Sequence, residues 1–527
     1  MKHRTTGTSL PRARTLAPAA IVFLALVVSL PAWGGGRKNG GSQGTDAVLH
    51  WSRIAIDASG RDHGAAREQF GPGRSSKAMA VVHIAIFDAV NAIEGGYRSY
   101  TKLDRVRHST SMRAAIAQAA HDTLAAQFPS QEALLAEALD GEMDEVPNGL
   151  PKMRGIDLGK KAARAILQKR AGDGSDHEEP LMDIDWIPSD QPGRWRQDPV
   201  VPIPIAMGAY WSAVKPLVLA SADQFRTPPP PAMTSAAYTR AYDEVKRLGG
   251  DGLATATQRT PEQTIIGIYW AYDGTPALCA PPRLYNQIAH KIAEGRKLSA
   301  VQLARMLALV NVAMADAGIA IWESKYYYDF WRPVTGIRES DPGTGPTGLG
   351  DGNPDTFGDV TFTPLGAPAS NLEGVLTDFT PPFPAYPSGH AGFGGALFQT
   401  LRRFYGTDRI AFTFVSDEFD GVTQDDEGNT RPLIVRSFER LSEAEEENGQ
   451  SRIYLGIHWE FDKVQGIAQG RRVANHVFDN AFRPLGGNDD DDDDGHGNGG
   501  GGGNDDDGGG DDDDDDGHGG RGGGHGR

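Results

Sequence analysis

Three short segments of this 527-residue chain concentrate side chains suited to holding a tetrahedral oxyanion. The first is Trp322-Glu323-Ser324-Lys325-Tyr326-Tyr327-Tyr328-Asp329-Phe330-Trp331-Arg332-Pro333. Lys325 and Arg332 are seven residues apart, so on a continued helix they share nearly one face, about 10 Å apart along the axis, and Trp322 shares it too. Pro333 disfavours helix at the residue before it and should turn the chain at Arg332. Taken alone, this segment is more simply a solvated lysine and a helix-ending arginine. The second segment is Pro381-Pro382-Phe383-Pro384-Ala385-Tyr386-Pro387-Ser388-Gly389-His390, followed by Ala391-Gly392-Phe393-Gly394-Gly395-Ala396. Its prolines stiffen the approach, Ser388 is a natural N-cap, and Gly389 and His390 offer unpaired backbone N–H groups at a helix start, which together make an anion cradle. The glycines also allow close approach of a ligand or another helix. By itself this could equally be a capped helix start beneath a loop.

The third segment is Ser451-Arg452-Ile453-Tyr454-Leu455-Gly456-Ile457-His458-Trp459-Glu460-Phe461-Asp462. Arg452 and His458 are six apart, about 120° off a shared helical face, so Gly456 is expected to bend the chain and bring both to one site. Asp462, one helical turn beyond His458, could orient the imidazole or bind nearby backbone. A two-residue metal site is the rival functional reading, but no cluster at recognisable spacing supplies its remaining ligands. A polar helix start is the plain one.

Together the segments supply three cations, a hydroxyl, helix N-terminal amides and two histidines. Arginine forks match tetrahedral oxyanions and lysine adds a point charge. One histidine can attack or coordinate the central atom while the other moves protons. Lys325, Arg332, Ser388, Gly389, His390, Arg452 and His458 are therefore expected to converge on phosphate or an analogue.

The elements that must position them are helical. Ala78, Val81, Val82, Ala85, Ile86, Ala89 and Val90 recur at spacings of three and four, and further helices are expected at 112–126, 131–141, 158–170, 234–248, 261–270, 284–294, 299–331, 389–405, 435–447 and 459–482. Long Pro-rich connections at 187–233 and 341–387 separate them, and alternating strand patterns are scarce. The expected fold is an all-α bundle protein. His83 and Asp88, about 140° apart on the first of these helices, read as satisfied core polar groups rather than metal ligands.

The ends differ from the body. Residues 1–34 read as a secretory signal, with Lys2, Arg4, Arg12 and Arg14 before an apolar run from about Leu16 to Leu30 and a cleavage site at Ala32-Trp33-Gly34. That predicts a secreted or periplasmic product with no stable membrane span once the signal is removed. Residues 35–46 read as a flexible leader, 47–230 as an N-terminal helical part, 231–486 as the catalytic helical part, and 487–527 as a disordered Asp/Gly tail. The tail holds fifteen Asp and two Arg of a chain whose net charge is −18, and its Asp runs offer weak calcium attraction. Nothing in the charge pattern points to nucleic acid. Cys279 is the only cysteine, so no internal disulfide can form, and its apolar neighbours mark it as a small core residue.

The ordered pattern Lys-x6-Arg-Pro, Pro-Ser-Gly-His and Ser-Arg-x3-Gly-x-His-x3-Asp resembles the superfamily of vanadium-dependent haloperoxidases and type 2 phosphatidic-acid phosphatases, with all three motifs intact. Trp270-Ala271-Tyr272-Asp273-Gly274, Pro281-Pro282-Arg283-Leu284-Tyr285-Asn286-Gln287, Phe383-Pro384-Ala385-Tyr386-Pro387 and Leu455-Gly456-Ile457-His458-Trp459 look most like the chloroperoxidase branch. The likeness is clear from about 230 to 480 and fainter from 48 to 230.

The resemblance implies two packed four-helix bundles and an oxidoreductase that uses hydrogen peroxide to oxidise halide and halogenate an organic acceptor. It makes His458 the covalent ligand to vanadium. Lys325, Arg332, Ser388, Gly389 and Arg452 become ligands to vanadate oxygens, and His390 the acid/base residue. Trp322 and Phe383 take the aromatic positions on the halide side, with Phe383 tilting toward chloride, and Asp273 pairs with Arg452. Phosphate may occupy the same site. The alternative within the superfamily is an acid phosphatase in which His458 forms phosphohistidine and His390 protonates the leaving oxygen. A secreted, non-catalytic binding protein is the third reading, against which the two intact histidines argue.

Overall fold

The computed structural model describes residues 40–486, with side chains from residue 44. The expected signal at 1–34 and tail at 487–527 lie outside the described residues. Thirteen α-helices are described: α1 (Gly40–Gly64), α2 (Gly71–Glu94), α3 (Met112–Gln127), α4 (Glu132–Asp144), α5 (Leu150–Arg170), α6 (Ala236–Leu248), α7 (Pro261–Tyr269), α8 (Pro281–Glu294), α9 (Ala300–Tyr328), α10 (Pro333–Arg338), α11 (Gly389–Tyr405), α12 (Leu441–Tyr454) and α13 (Glu460–Asn480). A single antiparallel pair, β1 (Phe412–Val415) and β2 (Val435–Phe438), joins them, with Phe412 opposite Phe438.

Most helices begin where local chemistry allows. Thr260 and Ser299 close capping boxes with Gln263 and Gln302, Ser388 caps α11, and Pro72, Pro261, Pro281 and Pro333 sit in first turns that need no N–H donor. Two expectations need correcting. α1 starts at Gly40, so the segment read as a leader to residue 46 is helical from 40 onward. Its glycine-rich start obscured a helical stripe of buried Ala47, Val48, Trp51, Ala55 and Ile56. The helix expected at 435–447 is instead β2 followed by α12, because Phe438 turns inward to pack on Phe412 with ring centroids 5.2 Å apart.

α9 is the axis of the molecule. α2 packs on one side of it, with α1, α3 and α5 beyond, while α11 and α13 pack on the other with α12. One apolar core runs through both groups, from Ala47 to Phe482. α2 and α9 are long and apolar enough to cross a bilayer, but nearly all of their residues are buried by other helices. His83 and Asp88 are satisfied core groups. His83 bonds Ser52 Oγ at 2.8 Å and Met79 O at 2.8 Å, and the Asp88 carboxylate accepts from Ser99, Tyr100 and Thr101. Cys279 is buried against Ser59.

The Pro-rich connections are pinned by carboxylates. Asp316 of α9 accepts the backbone N–H groups of Leu217, Val218 and Leu219 at 2.6, 2.8 and 3.0 Å. Asp198 accepts from Thr380 N at 3.0 Å, tying the two long connections to each other. They meet over the ends of α9 and α11, where the chemistry-bearing residues lie.

α11 and α13 cross backbone to backbone. A Cβ on Gly470 would stand 2.0 Å from the Gly392 carbonyl oxygen, one on Gly395 2.6 Å from that of Ile467, and one on Gly466 2.7 Å from that of Ser388. Gly470→Ala is therefore expected to destabilise the protein by about 1–3 kcal/mol, the usual cost of overpacking, despite alanine's better helix propensity. Gly141→Ala on α4, where a new Cβ meets nothing within 4 Å, should instead stabilise by up to about 1 kcal/mol. Urea midpoints of the two variants moving in the same direction would contradict this account of the crossing.

Candidate active site

Lys325 stands in the last turn of α9, which Asp329 closes in the left-handed conformation at φ 52°. The helix therefore stops before Arg332, and the two cations are not on one continued helical face. Arg332 is the N-cap of α10, in extended backbone. α12 ends at Tyr454, and Gly456 turns the chain at φ 74°, where a Cβ would lie 2.3 Å from the Gly249 carbonyl oxygen. That turn lets Arg452 from α12 and His458, just ahead of α13, face the same point, and only glycine fits it.

Lys325 Nζ donates to Pro384 O and Ala385 O at 2.7 and 3.0 Å. Arg332 donates to the carbonyls of Phe383 and Ile457 at 2.9 Å each and to Pro381 O at 3.3 Å. Both cations thus fasten the proline-rich strap around Phe383 to the helices. His458 Nδ1 lies 2.8 Å from Asp462 Oδ2, which also accepts Trp459 N at 3.0 Å. A carboxylate only accepts, so Nδ1 carries the proton. Nε2 then presents a lone pair, which accepts from Arg332 Nη1 at 2.9 Å. Asp462 both orients the imidazole and binds backbone.

Arg452 grips Asp273 with Nη2 alone, at 2.7 and 2.8 Å from the two carboxylate oxygens. Its Nε and Nη1 are buried without a partner among the described residues. His390, in the first turn of α11, donates from Nε2 to Ala271 O, which leaves Nδ1 as its basic nitrogen. Ser388 Oγ accepts from Ala391 N at 3.5 Å, which leaves its hydroxyl proton free to donate. Trp322 and Phe383 pack with ring centroids 5.1 Å apart, and the Lys325 ammonium and Arg332 guanidinium lie over the Phe383 ring at 5.0 and 4.9 Å.

The charges are unbalanced in a way that calls for an anion. Burial, followed by the neighbouring Arg332, holds Lys325 well below the ordinary lysine range, and burial takes Arg332 down to about 9. Burial and the surrounding cations push both His390 and His458 well below the usual imidazole range. Burial raises Asp273, and raises Asp462 to about 7, against the pull of the nearby cations. An oxyanion placed among these groups would offset cation–cation repulsion and accept from the two Arg452 nitrogens, whose burial without a partner is costly.

All ten residues singled out in the sequence come together. Asp273, Trp322, Phe383, Gly389, His390, Arg452 and His458 line one cavity of about 290 Å³, and Lys325, Arg332 and Ser388 are buried in the shell that the oxyanion residues form. Other groups went unrecognised. Asn448 donates to the His390 carbonyl at 3.0 Å, Tyr285 lies 2.9 Å from that oxygen, and the Met207 carbonyl receives Trp322 Nε1 at 3.1 Å and the Tyr326 hydroxyl at 2.9 Å. A backbone oxygen leaves no trace in sequence, and Tyr285 and Asn448 are 163 positions apart.

The family model for the VCPO second helical-bundle domain matches residues 305–487. The vanadium chloroperoxidase of Curvularia inaequalis is 32% identical over 510 residues, covering 79% of each chain. Among solved structures, a bacterial vanadium-dependent iodoperoxidase superposes with TM-score 0.63 at 23% identity, over 83% of this chain and 97% of that one. A holo-type bacterial vanadium-dependent chloroperoxidase superposes with TM-score 0.56 at 17% identity, over 80% and 95%. These last two likenesses bear on the fold.

Proposed function

Since this chain belongs to the vanadium-dependent haloperoxidases, in their chloroperoxidase-like branch, we propose that it uses hydrogen peroxide to oxidise a halide to hypohalous acid or an equivalent that halogenates organic acceptors. The observation that carries the reading is the buried cluster of Lys325, Arg332 and Arg452 around the His458 Nε2 lone pair, with two Arg452 donors left unpaired. Such a cluster fits vanadate, a tetrahedral oxyanion whose metal takes an imidazole nitrogen.

In this reading His458 would hold the metal through Nε2, with Asp462 keeping the proton on Nδ1 so that the lone pair stays directed at the site. Arg452, Lys325, Arg332, the Ser388 hydroxyl and the Gly389 amide hold the oxygens. Arg332 and Lys325 would redirect donors that now serve carbonyls, and Asp273 fixes the Arg452 fork. Bound vanadate supplies a Lewis-acidic centre that activates peroxide toward a halide nucleophile. Cations and amides make that centre more electrophilic by dispersing its negative charge. With Nε2 donating to Ala271 O, His390 would have Nδ1 as the base able to take a proton from hydrogen peroxide and to return one. The balance is H2O2 + X− + H+ → HOX + H2O. Trp322 and Phe383 keep water from the halide side, and Phe383 favours chloride competence. Export through residues 1–34 belongs to the same reading, supported by the basic, apolar and small-residue order of that segment.

The test is one assay of the mature protein with and without orthovanadate. Halogenation of monochlorodimedone by peroxide with chloride or bromide should depend on vanadate. Hydrolysis of p-nitrophenyl phosphate, measured alongside, should be the lesser activity. Vanadate-independent hydrolysis with no halogenation under any halide would assign the site to phosphohistidine chemistry instead.

A further inference from the structure

Away from its oxyanion donors the cavity changes character. The floor is polar, with Asp273, His390, Arg452 and His458, but the wall is made by Phe70, Ile203, Ile205, Leu372, Leu376 and Phe379, which three separate connections contribute. Apolar wall of this extent does nothing for peroxide or a halide ion, since a small anion is costly to remove from water without polar partners. It suits an organic ring, whose burial is favourable in proportion to its apolar area. The volume of about 290 Å³ matches the lower end of small-molecule pockets.

One cation completes the lining. Arg67 is exposed at the cavity, with its guanidinium 5.3 Å over the Phe70 ring. The acidic side chains beside it in sequence are engaged elsewhere. Asp62 accepts the amides of Glu68 and Gln69 at 2.7 and 2.9 Å, and Glu68 accepts Ser130 N and Oγ, both at 2.9 Å. Arg67 has no ion-pair partner among the described residues. The cavity thus combines in one lining the polar site residues, an apolar wall and one positive charge without an ion-pair partner among the described residues.

Resting on the haloperoxidase reading, we propose that this cavity binds the organic acceptor itself, an aromatic carboxylate, with its ring against the apolar wall and its carboxylate on Arg67. Halogen is then transferred to a bound molecule rather than to whatever hypohalous acid meets in solution. The net reaction is X− + H2O2 + H+ + Ar–H → Ar–X + 2 H2O. The halide gives two electrons to the peroxide O–O bond, which breaks, and a carbon–halogen bond replaces a ring C–H bond whose proton leaves in water.

The experiment titrates 6-hydroxy-2-naphthoate and its methyl ester into the vanadate-free protein by calorimetry, in the wild type, Arg67→Gln and Leu376→Asp. Triiodide formation from iodide and peroxide, which needs no organic acceptor, is measured alongside across iodide concentrations for the vanadate-loaded wild type and Arg67→Gln. The naphthoate should bind the wild type more tightly than the ester. Arg67→Gln, which removes the charge but leaves a polar side chain, should weaken the acid by about fivefold, as expected for one exposed ion pair, and leave the ester unchanged. Leu376→Asp should weaken both. Equal binding of acid and ester in wild type and Arg67→Gln, or no binding of either, overturns the proposal while triiodide formation leaves the haloperoxidase reading standing. An Arg67→Gln effect confined to halide half-saturation also overturns it, because the cation would then be steering halide. Absence of triiodide formation overturns the underlying reading and the halogen transfer with it, whatever the calorimetry shows.

Discussion

His458→Ala is expected to abolish vanadate binding and, with it, more than about a hundredfold of the vanadate-dependent halogenation rate. The outer partner of a metal-bound histidine is by itself worth about 10–100-fold. Loss of the ligand should exceed loss of its support, which Asp462→Asn would report separately. His458 suits the role because Asp462, 2.8 Å from Nδ1, holds the proton there, so that the Nε2 lone pair, which accepts from Arg332 at 2.9 Å, is the one a metal could take once that donor turns to an oxyanion oxygen. No neighbour could replace it, since His390 is held elsewhere by Ala271. Removing the ring from a linker between α12 and α13 leaves the helix crossings intact, so the variant should fold. Equilibrium binding of orthovanadate decides the matter. A His458→Ala protein with wild-type vanadate affinity would remove the central assignment.

His390→Ala should separate binding from turnover. Vanadate is still held by the cations and His458, while the peroxide-dependent rate falls by about 10²–10⁴-fold, the usual contribution of a positioned acid/base group. The sign of the pH dependence follows from the site. Burial first, and then Arg452, push His390 well below the usual imidazole range, so the ring is neutral and able to accept a proton at pH 7. The wild-type kcat/KM for peroxide at saturating halide should therefore decline on the acid side, where His390 becomes protonated and can no longer accept a proton from peroxide. Bound oxyanion, by adding negative charge, moves that decline upward in pH. The variant should lack the acid limb. If it instead kept the wild-type kcat/KM and the same limb, proton transfer would belong to another group.

The helical character and the seven oxyanion-binding residues were legible from local rules, whereas Asp273, Trp322 and Phe383 entered through the family resemblance. Apolar spacing of three and four exposes amphipathic helices, and caps such as Ser388 mark their starts. The motifs carried cations, a capped helix start and histidines, residue types that together suit an anion site. Where the reading failed, a longer-range contact had overridden the local signal. Glycines hid the start of α1, which its buried stripe against other helices stabilises. At 435–438 a strand forms because a partner at 412–415 is available, a fact no local window contains. Asp329 ends α9 four residues after Lys325, so Arg332 reaches the site from an N-cap and not along a helical face.

By itself the sequence determined which groups could do the chemistry: three cations, two histidines, a capped helix start and glycines at Gly389 and Gly456. Those are properties of residue type and short spacing. Only the tertiary structure decided what state they are in. It set the tautomer of His458 through Asp462, left two Arg452 donors unpaired, and brought the two Pro-rich connections together over the site through Asp198 and Asp316. The reason is physical. Proton placement, desolvation and cavity shape arise from groups far apart in the chain that become neighbours only when helices without intervening side chains, as at Gly392 and Gly470, can close to backbone contact.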